Sequence, residues 1–74
     1  MNIYEYIGDN PIIQYGTPFC VIGFFKNKNR YFLLKTSWYE LKNNPEKLTE
    51  KSFTNTLLIE QESFEKNFRF SKEI

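Results

Sequence analysis

The chain has 74 residues, with ten Lys or Arg against nine Asp or Glu, one cysteine and no histidine. That length fits one domain, and the absence of histidine excludes Ser–His and Cys–His catalytic pairs and, with a single cysteine, a structural zinc site. A net charge of +1 lacks the basic excess of a dedicated electrostatic nucleic-acid binder, so any basic surface must be local.

Eight Phe, five Tyr and one Trp are many for so short a chain. They argue for a packed core and against disorder. A lone cysteine, Cys20, points to an intracellular, cytoplasmic protein rather than a secreted one. Met1–Glu5 lacks the pattern of a signal peptide. The longest apolar run, Phe19–Phe25, falls short of the ~20 residues of a membrane span, so no membrane association is expected.

Ile3–Ile7 reads as a first strand, with Ile3, Glu5 and Ile7 on one side and Tyr4 and Tyr6 on the other. Gly8-Asp9-Asn10-Pro11 is a turn cluster, Ile12–Tyr15 a short extended piece, and Gly16-Thr17-Pro18 a second turn. Phe19–Phe25 and Arg30–Thr36 flank the polar turn Lys26–Asn29, the sequence form of a β-hairpin, and Gly23 marks a bend within its first strand. Ser37-Trp38-Tyr39-Glu40 fits a capping box that opens a helical turn from Trp38 to about Asn43. Asn44-Pro45-Glu46 is a second start signal, for a short helix over Lys47–Lys51. Thr54–Glu60 is a strand, Glu62–Asn67 a helical turn placing Phe64 and Phe68 on one face, and Ser71–Ile74 a frayed tail.

Alternation puts Phe19 and Val21 inward and Cys20 and Ile22 outward or on a second face. Phe32 and Leu34 are expected inward and Tyr31 and Leu33 outward, with Ile7, Leu58 and Phe64 completing the centre.

Tyr6-Ile7-Gly8-Asp9-Asn10-Pro11, Tyr15-Gly16, Phe19-Cys20-Val21-Ile22 and Tyr31-Phe32, with Leu57-Leu58-Ile59 and Ser63-Phe64-Glu65, resemble the small SH3-like β-barrel proteins of phages, mobile elements and low-GC Gram-positive bacteria. The resemblance covers Tyr4–Thr36 and Thr56–Phe68. It implies a mainly β fold: a small SH3-like five-stranded barrel over 1–70, carrying a short helical insertion (36–55) between the third and fourth main strands. Most such proteins share a shape without a shared role, so fold alone does not assign function.

No catalytic, metal or cofactor motif stands in the sequence, and a non-catalytic module acting by protein–protein contact is expected. Exposed Tyr and Trp favour contact surfaces. Trp38 and Tyr39 of the insertion, with Tyr31, Tyr15 and Leu33, are the candidate partner-binding residues. The phage-like resemblance suggests inhibition of a host or defence protein. An alternative is a nucleic-acid-binding barrel using Lys26, Lys28, Arg30 and Lys35 with stacked aromatics. A second alternative is a small-ligand or nucleotide sponge formed at an oligomer interface, and Ile22, Phe24 and Leu33 are candidates to close a homodimer. Cys20, inside an apolar run, reads as a small hydrophobe rather than a nucleophile. Glu60 and Glu62 read as a solvated face.

Overall fold

The computed structural model describes residues 1–44 and 56–74. Among them are five antiparallel strands in one sheet: β1 (Asn2–Tyr6), β2 (Pro18–Phe25), β3 (Arg30–Lys35), β4 (Thr56–Glu60) and β5 (Phe68–Glu73). Two short helices join them: α1 (Trp38–Asn43) follows β3, and α2 (Gln61–Asn67) links β4 to β5. The strand order is β4-β3-β2-β1-β5. The predicted hairpin β2–β3 is therefore central, and the sheet is open, with β4 and β5 as its two edges. The second predicted helix, Lys47–Lys51, lies outside the described residues, as do Leu48, Phe53 and the first residues of the Thr54–Glu60 strand.

The hairpin forms where expected. Lys28 N donates to Phe25 O at 3.2 Å across the turn. Asn29 takes a positive φ of 51°, a conformation asparagine tolerates better than most residues. Between Val21 and Gly23 the register slips by one residue. Such a bulge adds twist and bends the strand, which is the bend the glycine announced.

The alternation on β3 is real, but its sense is reversed from the expectation. Val21 pairs with Leu33 and Cys20 with Leu34. The main core therefore holds Tyr6, Phe19, Leu33, Phe64 and Phe68, with Tyr4, Val21, Tyr31, Leu57 and Ile59 packed against it. Leu33 is fully buried and Tyr31 lies on the same inward face, so neither points outward. Leu58, expected at the centre, is exposed, because Leu57 and Ile59 take the inward positions of β4.

Leu34 lies on the other face, in a second cluster with Ile3, Cys20 and Leu41. Leu41 comes from α1, so that helix covers part of the outer sheet face. Burial of one such aliphatic side chain stabilises by about 1.5–3 kcal/mol. The α1 start obeys its capping signal: Ser37 Oγ accepts from Glu40 N at 3.2 Å.

α2 sits between the two sheet edges. Its Phe64 ring lies 4.8 Å from Tyr4, 4.3 Å from Tyr31 and 5.3 Å from Phe68, so one side chain ties β1, β3 and β5 together. The C-terminus is not frayed. β5 pairs with β1 from Phe68 to Glu73, and Ile74 N donates to Met1 O at 2.8 Å. Its polar side chains misled because an edge strand solvates most of them while its backbone stays paired.

No helix among the described residues is long and apolar enough to cross a membrane.

Candidate functional site

The 10–18 segment is two consecutive turns, not the extended piece expected for Ile12–Tyr15. Ile13 N donates to Asn10 O, and Thr17 N to Gln14 O, each at 3.1 Å. Asn10 Oδ1 accepts from Ile12 N at 2.9 Å, and Thr17 Oγ1 donates to Gln14 O at 2.6 Å. Asparagine and threonine commonly fix turns in this way.

Tyr6 anchors the loop at both ends. Its backbone N donates to Thr17 O (2.9 Å) and its carbonyl accepts from Gly16 N (2.7 Å). Its buried hydroxyl accepts from Asn10 N at 2.9 Å. A Cβ at Gly8 would lie 2.4 Å from that hydroxyl, so glycine there keeps the Tyr6 ring in place. Gly16 has φ 87°, which a side chain would strain.

The Gly16 carbonyl accepts from Trp38 Nε1 at 3.0 Å. Through this bond the first residue of α1 meets the loop, and a groove of about 630 Å³ lies between them. That volume is within the ~300–1,000 Å³ usual for ligand sites. Glu5, Tyr15, Pro18, Lys35, Thr36 and Trp38 are among its lining residues. Tyr15 is 65% exposed and Ile12, at the rim, 86%. Trp38 is about half-covered, and Lys72 Nζ stands 5.8 Å from its ring centroid.

Two polar details mark this groove. Thr36 is 6% exposed, and its Oγ1 has no hydrogen-bond partner among the described residues. A buried polar atom left so costs about 1–3 kcal/mol. Glu5 is engaged from outside: Arg69 Nε donates to Glu5 Oε1 at 3.1 Å, and Nη2 reaches the same oxygen. The Glu5 carboxylate, by hydrogen bond and then by charge, pushes the Arg69 guanidinium further up, and Tyr15 adds to this. Glu5 and Tyr15 both line the groove, and Arg69 holds the Glu5 carboxylate.

Of the candidate contact residues, the fold brings Tyr15 and Trp38 together. Tyr39 is 70% exposed on α1 and is not part of the groove lining. Tyr31 is packed between Phe24 (4.7 Å) and Phe64 (4.3 Å). Leu33, fully buried, cannot touch a partner in this fold, nor can it form a patch with Ile22 and Phe24.

The four basic candidates do not make one surface. Lys26 and Lys28 are exposed at the hairpin tip, while Arg30 pairs with Glu60 at 3.6 Å. Lys35 ends β3, roughly 17 Å away at about 3.3 Å per residue, and lines the groove instead. A smaller hollow of about 270 Å³ joins Lys28 and Asn29 to Glu60, Gln61 and Glu62. Among the described residues no cluster of three potential metal ligands occurs.

Cys20 is buried, with Sγ 3.4 Å from Met1 Sδ. Burial pushes its thiol up, and the N-terminal ammonium lowers it by less. A thiol so held is a poor nucleophile.

Thr36 and the groove role of Lys35 escaped the sequence reading. Thr36 reads only as the end of a strand, and its place beside Pro18, whose carbonyl accepts from Thr36 N at 3.1 Å, follows from the β2–β3 register. The chain matches no protein-family model, no curated protein and no solved structure.

Proposed function

We propose that the chain is a non-catalytic protein-binding module with an SH3-like barrel, and that its contact surface is the groove between the 10–18 loop and the start of α1. The barrel reading is supported by β1 pairing with both β2 and β5, by the bulge that bends β2 and by the Phe64 ring contacts to β1, β3 and β5. The sequence resemblance adds that the module is phage- or mobile-element-encoded and inhibits a host or defence protein.

One observation carries the functional reading: the Trp38–Gly16 hydrogen bond fixes loop and helix in one arrangement while Tyr15 stays open on it. A preorganised surface loses little freedom on binding, and aromatic side chains at the centre of such surfaces supply much of the binding energy.

The test is capture from a low-GC Gram-positive cell extract by the immobilised protein. Wild type is expected to retain a discrete protein that Tyr15→Ala loses and Tyr39→Ala largely keeps. Equal retention by Tyr15→Ala overturns the assignment of the groove. Tyr15 is mostly exposed, so its truncation leaves the core intact.

A further inference from the structure

Resting on that reading of the groove, we infer that its occupant is an extended acidic segment of the partner protein. The segment sets a carboxylate against Lys35 and an apolar side chain on Tyr15.

The charges point this way. Among the described residues that line the groove, Glu5 and Lys35 are the charged ones. Glu5 is already bound to Arg69. Lys35 is exposed and makes no ion pair among the described residues. Lys72, above the Trp38 ring, adds a second cation at the margin. The groove therefore offers a partner positive charge and no free carboxylate.

The hydrogen-bonding groups agree. Thr36 Oγ1 is shielded from solvent, so a partner does not reach it. Ser37 Oγ accepts from Glu40 N, which leaves its proton to donate. Lys35 and Ser37 are thus exposed donors on the groove lining, and they suit the oxygens of a peptide backbone and a carboxylate. Tyr15, Ile12 and Pro18 supply apolar area beside them.

A nucleic acid would meet the same cation, but a phosphate backbone needs a track of positive charge. The hairpin lysines stand at the opposite end of β3, so no such track reaches the groove. A peptide is the better fit.

The experiment selects binders for the full chain from a displayed library of random linear peptides. The selected peptides are then measured against wild type, Lys35→Glu and Tyr15→Ala, each checked for folding by circular dichroism. Acidic residues beside an apolar one are expected to dominate the selection. Binding should weaken about fivefold or more in Lys35→Glu and fall as salt screens the pair.

Neutral or basic peptides that lose binding only to Tyr15→Ala overturn the acidic class and leave the groove standing. Failure to select any peptide, or binding unchanged by Tyr15→Ala, overturns both. A fluorescent oligonucleotide that competes with the selected peptides also contradicts the inference.

Discussion

At the scale of single residues, Thr36 has the most to say. Its hydroxyl is buried without a partner, an arrangement that weakens the fold. Removing that hydroxyl while keeping the shape, as in Thr36→Val, is expected to stabilise by about 1 kcal/mol. For a domain of this size that raises the melting temperature by roughly 4–8 °C. Calorimetry on the two proteins decides it, and a lower melting temperature means the hydroxyl is satisfied.

Cys20 makes a second residue-level prediction. Its thiol sits above the ordinary range when folded because burial disfavours the thiolate. A raised folded value means the native state holds the proton more tightly. That contribution is complete below the unfolded thiol's range and is lost as pH rises through and above it. Urea midpoints should therefore fall on the alkaline side more steeply for wild type than for Cys20→Ala. Equal slopes would show that the thiol is not desolvated.

At the scale of elements, α1 is the piece that turns a sheet face into a site. It is only six residues long, too short to persist alone. Three contacts hold it: the Ser37 cap, the Trp38–Gly16 bond and Leu41 over Ile3, Cys20 and Leu34. Leu41→Ala should cost about 2–5 kcal/mol and loosen the groove with it. Hydrogen exchange is the check: the amides at positions 41 and 44, which in the wild type donate to Ser37 O and Glu40 O, should exchange faster in the variant while those of the β2–β3 ladder stay slow. Retained protection in α1 would show that the helix stands without its core contact.

The elements also show what could be read in advance. Strand and helix positions were legible because turn residues punctuate them: Asn29 at the hairpin, Gly23 at the bulge, Ser37 at the cap. Facing was not legible on β3, where Tyr31, Phe32, Leu33 and Leu34 are all large and apolar. Only the register with β2, shifted by the bulge, decides which pair enters the main core. The polar end of β5, within Ser71–Ile74, was read as a tail because backbone pairing leaves no mark on side-chain composition at an edge.

At the scale of the whole molecule, the two faces of one open sheet do different work. The inner face, closed by Phe64 and Phe68, stabilises the fold. The outer face is covered by α1 at one end, where the groove lies. Farther along it Phe25 packs on Phe32 at 4.5 Å, and Leu58 pairs with Phe32 in register. Tyr15 and Trp38 stood among the sequence candidates because exposed aromatics are informative by themselves. Their partners in the groove, Thr36, Lys35 and Glu5, come from β3, β1 and the β3–α1 junction, and no local pattern joins them.

The most direct test is a titration of isotope-labelled protein with a peptide selected as above, followed by amide chemical shifts. Shifts are expected to concentrate at Ile12, Tyr15, Gly16, Lys35, Thr36 and Trp38, with the Trp38 indole N–H moving in step. Shifts centred instead on the Lys26–Arg30 tip, or on Phe25, Phe32 and Leu58, would place binding elsewhere and contradict the groove.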